Sequence, residues 1–462
     1  MSAGGIDFGT IHTPRHGYYL RRRWRPVTEL EKYRPLTHNV AVNEVSSSDA
    51  IRLLVIMPNW LGDGVMATPL LRSLANLPVR PQIAALIRPL VEPVVTGMPY
   101  VHRIVHYQYH GSKIDIGATA RMLAKEHFDA AIILPNNWRS ALIVWRAGIP
   151  VRVGYERDGR RLLLTHHIQA ALRKDDEIAL QLQRAKYRRR LAQAGPAAVT
   201  GPIPAAAPGR MSRTLRQWHN YQPVSTIEYY LKLLDILPLQ LKRDQPVNSA
   251  AGGARSPTAM PNRQMELFCS DTERAAATEL IRSQHIDGPY AMIFPGANFG
   301  ASKCWPIERF AELARGLAAG DAGRNWWVLL AGAPSELPAL EEITRQARTE
   351  SRTRIINLAA LEKPTALGTV KALAAGAGLV VCNDTGPRHF AAAFQRPLVT
   401  LFGPTDPRWA QTYDPCEQIV SVPIECGPCQ LKVCPIDHRC MQGITVEMVQ
   451  RAIERAIEAR RV

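Results

Sequence analysis

The chain has 462 residues, 46% of them hydrophobic and 21% charged, which is enough for two or three globular domains with buried cores. It has no uninterrupted apolar run of the ~18 residues that a transmembrane helix needs, and its polar, basic N-terminus lacks the apolar centre of a secretory signal. The formal net charge of +17 favours anionic partners, although solubility alone is the simpler explanation of such a charge. We therefore expect a cytoplasmic protein that binds an anionic substrate or surface.

Residues 1–50 show no hydrophobic periodicity and are predicted to form a basic N-terminal extension. Between residues 18 and 25 the sequence YYLRRRWR interleaves arginines with aromatic side chains. That mixture suits an anionic membrane headgroup region or single-stranded nucleic acid, and a flexible basic tail is the alternative. We expect peripheral contact with the inner face of an anionic inner membrane.

From residue 51 onward, short apolar runs alternate with amphipathic segments. The predicted strands are 51–57, 82–87, 103–106, 130–134 and, as the last of this series, 151–155. The predicted helices are 65–76, 114–126, 138–147 and 224–237. Strands that alternate with helices indicate a parallel sheet with helices on both faces. Residues 51–240 are therefore predicted to be a Rossmann-like domain with a basic insert at about 169–222.

Residues 241–262 are rich in Pro, Ser, Ala and Gly and are predicted to be an interdomain linker. A second series follows, with predicted strands 290–294, 326–330, 354–358, 379–382 and 398–402. Its predicted helices are 306–319, 336–348, 365–375, 385–394 and a terminal amphipathic helix, 445–460. Residues 263–462 should thus form a second Rossmann-like domain. In such α/β domains ligands bind at the carboxyl ends of the strands, so the active site should lie in a cleft between the two.

The first candidate site is the sequence Gly62-Asp63-Gly64, directly after the first predicted strand. Small residues allow a tight turn and a close ligand, and a carboxylate facing the cleft can act as a general base. An aspartate that only caps the following helix is the alternative, and this segment alone leaves both open.

The second candidate is the loop 294–306, which contains Gly296 and Lys303. A lysine on a glycine-containing loop between a strand and a helix is a point charge suited to phosphate. A surface lysine is the alternative, and the loop does not contain a Walker A motif.

The third candidate is Asn383-Asp384-Thr385-Gly386, predicted to open the helix that carries His389. Backbone amides at a helix N-terminus bind phosphate, and the Thr385 hydroxyl and Gly386 amide would point there. Asp384 could instead be a helix cap, and a lone histidine is more often a hydrogen-bonded core residue.

Four cysteines, Cys426, Cys429, Cys434 and Cys440, are clustered with the spacing C-x2-C-x4-C-x5-C, with His438 between the last two. In a cytosolic protein such clustering favours metal over disulfides, and four soft ligands suit tetrahedral zinc. A structural zinc site, free thiols, and an iron–sulfur cluster or redox pair all remain open. The remaining four cysteines are scattered and are predicted to be structural.

These segments together resemble glycosyltransferase family 9, and in particular the ADP-heptose:lipopolysaccharide heptosyltransferase II branch. The matching segments are 57–69, 154–166, 223–237, 294–306, 383–393, 398–407 (LVTLFGPTDP) and the Cys-rich 426–441. The resemblance covers roughly residues 51–460. It implies the GT-B architecture, which is α/β with two Rossmann-like domains facing a cleft and a C-terminal helix.

The resemblance also implies a function. The donor would be ADP-L-glycero-β-D-manno-heptose, and the acceptor would be the heptose of a lipopolysaccharide precursor, lipid A–Kdo–heptose. The transfer would invert the anomeric carbon without a catalytic metal, so the only expected metal is the structural zinc. No nucleic acid partner is expected.

Site residues are carried over by their matching positions. Asp63 matches the general base that takes the proton of the acceptor hydroxyl, and Lys303 matches the basic residue that meets the donor diphosphate. The other expected donor-binding residues are Gly296, Asp384, Thr385, Gly386, His389 and Glu336. Glu336 is expected to hold the ribose hydroxyls, a looser match than the others.

Departures from the family pattern include the N-terminal extension, the long basic insert, and Pro387 and Arg388 where smaller or apolar residues are usual. They leave open a glycosyltransferase that uses another nucleotide sugar or glycan acceptor. A non-hydrolysing nucleotide-sugar epimerase and a zinc-containing nucleic-acid-binding protein are rival interpretations of the same sequence, but the order of the motifs argues against the epimerase.

Overall fold

The computed structural model of the protein describes residues 50–172, 175–194, 221–238, 241, 262–320, 325–348 and 354–460. Nearly all of the predicted extension 1–50 and of the predicted linker 241–262 lies outside these ranges, as does the Pro-rich part of the insert. Within the ranges, no helix is both long and apolar enough to cross a bilayer.

The N-terminal half is built on a six-stranded parallel sheet. Its strands are β1 (Arg52–Ile56), β2 (Gln82–Ile87), β3 (Arg103–His106), β6 (Ala130–Ile133), β7 (Val151–Tyr155) and β8 (His166–Ile168), with a small hairpin of β4 (Tyr109–His110) and β5 (Lys113–Ile114) after β3. The order is β3-β2-β1-β6-β7-β8. Leu54 and Ile56 of β1 pack on one face and Leu53 and Val55 on the other. Both faces are thus covered, as a parallel sheet requires.

Seven α-helices accompany this half within the residues that the structure describes. They are α1 (Leu61–Met66), α2 (Thr68–Ala75), α3 (Glu92–Val95), α4 (Ile116–Ala124), α5 (Trp138–Arg146), α6 (Asp175–Ala194) and α7 (Thr226–Leu231). The predicted single helix 65–76 is wrong, because the chain forms α1 and α2 with a break between them. Pro69 has no amide proton for the carbonyl of Val65, and the Thr68 hydroxyl donates to that oxygen at 2.8 Å instead.

The strand 151–155 is not the last of the first sheet, because β8 pairs with β7 in parallel. β8 has only three residues, and two of them are histidines. It therefore lacks the apolar run by which the other strands were recognised. The predicted helix 224–237 is also shorter, because α7 ends at Leu231 and continues as a 3-10 turn over Lys232–Ile236.

The C-terminal half repeats the plan. Its strands are β9 (Tyr290–Phe294), β10 (Trp327–Leu330), β11 (Ile355–Asn357), β12 (Leu379–Asn383), β13 (Leu398–Phe402) and β14 (Glu417–Ser421). They are all parallel, in the order β11-β10-β9-β12-β13-β14. Its helices are α8 (Asp271–Ser283), α9 (Ile307–Ala319), α10 (Leu337–Ala347), α11 (Leu367–Gly376), α12 (Arg388–Ala393), α13 (Arg439–Gln442) and α14 (Val446–Ala459). Neither α8 nor β14 was predicted from the sequence.

The two halves share one continuous apolar core. It joins β1 and helices α1 and α2 to β9, β12, α11 and α12, and includes Met265 and Leu267 at the entry to the C-terminal half. The side chain of Lys371 on α11 is fully buried at this junction. Its ammonium group donates to the carbonyl oxygens of Pro93 (2.7 Å) and Phe268 (2.6 Å) and pairs with Glu273 at 2.8 Å. The contact fixes α3 of the first half against the second.

The basic insert contributes a second connection between the halves. Arg188 of α6 is 5% exposed, and its guanidinium donates to the carbonyl oxygen of Cys426 at 2.7 Å. Tyr187 is buried against the same cysteine. The described part of the insert therefore packs on the Cys-rich segment of the C-terminal half.

Candidate active site

The predicted site residues follow the central strands of both sheets. Asp63 lies in the first turn of α1, directly after β1. Lys303 ends the loop after β9, and Asp384 follows β12. Because α1 contacts α12 across the junction, the two sets of strand ends meet. The structure thus brings three residues that are far apart in sequence to one place.

Asp384 is the electrostatic centre of the site and is not a helix cap. Its Oδ2 accepts hydrogen bonds from the Lys303 ammonium at 2.5 Å and the Thr405 hydroxyl at 2.8 Å. Burial alone would raise the pKa of Asp384, but Lys303, Arg388 and the two hydrogen bonds outweigh burial and lower it. Asp384 is therefore ionised and holds the Lys303 side chain in place.

A buried ion pair supports this centre from behind. Arg388 is 0% exposed and binds the carboxylate of Glu417 in a bidentate manner, with N–O distances of 2.6 and 2.9 Å. Its guanidinium also lies 3.7 Å from Asp384. The arginine that departs from the family pattern is thus a structural partner of the site.

Asp63 lies on the opposite side of the junction and has a different environment. Burial, then the charge of Asp384, raises the pKa of Asp63 to about 6, while Lys303 offsets part of the rise. The residue that precedes α1, Trp60, makes no side-chain cap, and Asp63 is inside the helix. The alternative that Asp63 is an N-cap is therefore wrong. A carboxylate with a pKa near neutrality is suited to exchange a proton.

His389 closes the contact between α1 and α12. A Cβ atom placed on Gly62 would lie 2.7 Å from Cδ2 of His389, and one placed on Gly386 would lie 3.2 Å from Cβ of Leu61. The glycines therefore allow the two helices to touch. Burial, then the Arg388 cation, lowers the pKa of His389 to about 3, so the ring is neutral. Its Nδ1 is buried without a hydrogen-bond partner in the described structure.

The donor-binding turn differs from the expectation at one point. Helix α12 begins at Arg388, later than predicted, so Thr385 and Gly386 form a turn before it. Their carbonyl oxygens accept from the amides of Arg388 and His389 at 3.2 and 3.1 Å. Pro387 is the N-cap residue of α12, and it makes no side-chain cap hydrogen bond. Thr385 and Gly386 are half-buried.

Gly296 and Glu336 form a second group in the segments that follow the adjacent strands β9 and β10. The Glu336 carboxylate accepts from the amide of Ala333 at 2.8 Å. It lies so close to Gly296 that any side chain there would overlap it. The position of the Glu336 carboxylate therefore requires a glycine at residue 296. Held in this way, the carboxylate can present its oxygens to a ligand. No measured contact joins this group to Lys303 or Asp384.

The four clustered cysteines line one small cavity together with Arg188 and His438. Burial is the largest factor that raises the pKa of Cys426 to about 11 and that of Cys440 to about 12, which keeps both as thiols at neutral pH. Across the residues that the structure covers, no three His, Cys, Asp or Glu side chains are grouped closely enough to hold a metal ion. The structural zinc stays a prediction.

The Cys-rich segment also contacts the loop that carries Lys303. His438 Nε2 lies 2.6 Å from the carbonyl oxygen of Ser302, and the amide of Ser302 donates to Lys432 O at 3.1 Å. This segment is therefore a support for the lysine loop.

Sequence analysis missed Thr405 and Glu417 as parts of the site, and it named Asn383 in the third candidate without giving it a role of its own. Asn383 ties β12 to the lysine loop, because its amide donates to Pro295 O at 2.5 Å and its oxygen accepts from the amide of Trp305 at 3.3 Å. Thr405 and Asn383 lie within segments already noted for their family resemblance, so the signal was present. Glu417 had none, because it lies on the unpredicted strand β14.

Comparison with known proteins identifies the family. The sequence profile of glycosyltransferase family 9 (heptosyltransferase) matches residues 116–194 and 236–439, which is more than half of the chain. The chain belongs to glycosyltransferase family 9. It is therefore a glycosyltransferase, and this membership favours transfer over epimerisation.

Individual members of family 9 match this chain over most of its length. Lipopolysaccharide heptosyltransferase 2 of Salmonella typhimurium is 27% identical over 77% of this chain and 84% of its own length. The structure of E. coli ADP-heptose LPS heptosyltransferase II matches 89% of this chain and all of that chain, at 23% identity and a TM-score of 0.60. An E. coli heptosyltransferase solved with ADP-2-deoxy-2-fluoro heptose matches with a TM-score of 0.55, at 18% identity over 87% of this chain and 99% of that chain. The GT-B fold is thereby confirmed.

Proposed function

We propose that the protein transfers heptose from ADP-L-glycero-β-D-manno-heptose to the heptose of a lipid A–Kdo–heptose acceptor in lipopolysaccharide core synthesis. The observation that carries the proposal is the meeting of Asp63, Lys303 and Asp384 at facing strand ends. One carboxylate with a raised pKa faces an ionised carboxylate–lysine pair across the junction of the two halves. The names of the relatives supply the sugar and the acceptor class.

In this proposal Asp63 is the general base. Its carboxylate takes the proton of the acceptor hydroxyl while that oxygen forms a bond to the anomeric carbon. The bond from the anomeric carbon to the diphosphate oxygen breaks, and ADP leaves with the electron pair from the opposite face. The configuration is thereby inverted. A base with a pKa of about 6 is ionised at neutral pH yet basic enough to share the proton.

Lys303 stabilises the leaving diphosphate in the same proposal. Asp384 and Thr405 hold the lysine, so its charge is in place before negative charge develops on ADP. Thr385, Gly386 and the neutral His389 would line the donor side, and Gly296 and Glu336 would receive the ribose. These cationic and polar groups are proposed to replace a catalytic metal, so brief treatment with EDTA should leave the rate unchanged.

The first test compares wild type with Asp63→Asn and Asp63→Ala. We expect ADP-heptose to raise the melting temperature of all three, because donor binding does not need the base. Transfer to lipid A–Kdo–heptose should fall by about 10²- to 10⁴-fold in both variants, the usual contribution of a general base. A variant with wild-type transfer would refute the role of Asp63, and a wild type that ADP-heptose does not stabilise would refute the donor.

We also propose a structural zinc ion at Cys426, Cys429, Cys434 and Cys440. The support is that all four thiols line one cavity and that Arg188, buried beside them, has no carboxylate partner among the described residues. Zinc would replace the thiol protons, and the thiolates would then neutralise that arginine. The thiols would have to move closer together around the ion.

Metal analysis of the purified protein tests the zinc proposal. We expect about one zinc ion per chain, with loss of the metal in Cys434→Ser and retention in Cys416→Ser, whose thiol lies outside the cluster. Protein that contains no metal and takes up none from added zinc would contradict the site.

Peripheral attachment to the anionic inner face of the inner membrane is proposed as well. The net charge of +17 and an acceptor anchored by lipid both favour it.

A further inference from the structure

Exposed apolar side chains are concentrated at one edge of the N-terminal sheet. Residues 50–172 contain seven large hydrophobic side chains that are exposed. Five of them lie in the segments just after the carboxyl ends of strands β1, β2, β3, β6 and β8: Trp60, Leu90, Tyr109, Trp138 and Leu172. Because these strands belong to one parallel sheet, their carboxyl ends lie along one edge. We call this set of loops the apolar rim.

The opposite edge of the same sheet gives the contrast. Helix α5 runs back from the rim, so its first residue, Trp138, is on the rim and Trp145 near its end is at the far edge. The two tryptophans are equally exposed, at 48% and 50%, and each is followed by an arginine. Trp145 and Leu162 are the two of the seven that lie away from the rim. Leu162 is on the turn that returns toward the start of β7, where Leu163 O accepts from Nε of Arg152 at 2.8 Å. The exposed apolar side chains are therefore concentrated at the carboxyl edge of the sheet and are not spread evenly over the domain.

The rim is also positively charged. Arg88, Lys113 and Arg139 are exposed in these loops, whereas no carboxylate among their described residues is exposed. Aromatic and aliphatic side chains interleaved with arginine and lysine suit the boundary between lipid headgroups and acyl chains. Trp60 directly precedes α1, which carries Asp63, so the rim lies beside the proposed base.

We propose that the apolar rim is the surface by which this protein docks on an anionic lipid bilayer, with the end of α1 that carries Asp63 turned toward the membrane. The inference rests on the proposed function, since a lipid-anchored acceptor must reach Asp63 from that surface. Its consequence is that the described N-terminal half binds the bilayer directly, in addition to anything that residues 1–50 contribute.

The test uses the full-length chain and vesicles of phosphatidylethanolamine with phosphatidylglycerol, or of phosphatidylcholine alone. The variants are Trp138→Ser, Leu90→Ser, their combination, and Trp145→Ser as the matched control. We expect the double variant to bind the anionic vesicles about tenfold more weakly, because two apolar anchors are lost. Trp145→Ser should bind like wild type. Equal melting temperatures would show that the exposed substitutions leave the fold intact.

A second readout separates this inference from the proposed function. The double variant should transfer heptose more slowly to vesicle-embedded acceptor and at the wild-type rate to a deacylated acceptor. If wild type transfers heptose but the variants bind vesicles as tightly as wild type does, the docking surface is overturned and the proposed function stands. Vesicle binding that depends on the rim, without transfer to either acceptor, would refute the function and keep the surface.

Two further outcomes would also overturn the docking surface. Equal weakening by Trp145→Ser would show that exposed tryptophans act non-specifically. A parallel loss of binding to single-stranded oligonucleotide would assign the rim to nucleic acid instead.

Discussion

Two carboxylates a short distance apart have opposite properties because their neighbours differ. Asp384 is bound to Lys303 and close to Arg388, which lower its pKa. Asp63 lacks a partner of that kind, and its pKa is raised to about 6 by burial and by Asp384 itself. The sequence indicates which residues are acidic, but only the packing determines which one can act as the base.

This difference predicts a pH dependence. Asp63 must be ionised to accept a proton, so kcat/KM should fall tenfold for each pH unit below about 6. His389, with a pKa of about 3, stays neutral and should not contribute. A rate that is flat from pH 7.5 to pH 5 would rule out Asp63 as the titrating base.

The same pKa predicts a cost in stability. When folding raises the pKa of a carboxyl group, the folded protein becomes less stable as the pH rises from the pKa of the unfolded state to that of the folded state. For Asp63 this range is from 3.8 to about 6. Asp63→Asn should therefore melt a few degrees above wild type at pH 7.5, and the difference should shrink toward pH 5. An equal difference at both pH values would point to a cause other than ionisation.

At the scale of elements, the sequence predicts the regular parts of the fold well. Strands 82–87, 103–106, 151–155, 290–294 and 398–402 have the bounds that were predicted. Three of them, 82–87, 290–294 and 398–402, are almost entirely buried runs between polar turns. The elements that were missed or cut short depend on other signals. β8 is too short and polar, β14 is exposed on alternate residues, and α12 begins only after Pro387.

The candidate site was predictable only where a motif carried it. Asp63, Lys303 and Asp384 were found because glycines and prolines mark their turns. The Arg388–Glu417 pair was not, since its partners are 29 residues apart on elements whose contact depends on the three-dimensional arrangement. Sequence reasoning treated Arg388 as a departure from the pattern, and its bidentate bond with Glu417 gives the physical reason for it.

At the scale of the whole molecule, activity depends on how the two halves are aligned. The proposed base is on one half and the donor loop on the other, so a small displacement between them separates the reacting groups. Lys371 is placed to prevent that displacement. Its ammonium group holds Glu273 and carbonyl oxygens on both sides of the junction, in a site with no water-accessible side-chain surface.

Lys371→Met is therefore expected to lower the free energy of unfolding by about 3–5 kcal/mol, the usual cost of removing one partner of a buried ion pair. Transfer should fall as well, because Pro93 and Phe268 lose their common donor. The exposed Lys363, mutated to Met, is the matched control and should change neither quantity. Lys371→Met combined with Glu273→Gln should recover part of the loss, since Gln leaves no buried charge unpaired. Urea denaturation of the four proteins measures these differences. If Lys371→Met unfolds at the same urea concentration as Lys363→Met, the junction is held by its apolar core alone, and the alignment of base and donor does not depend on this lysine.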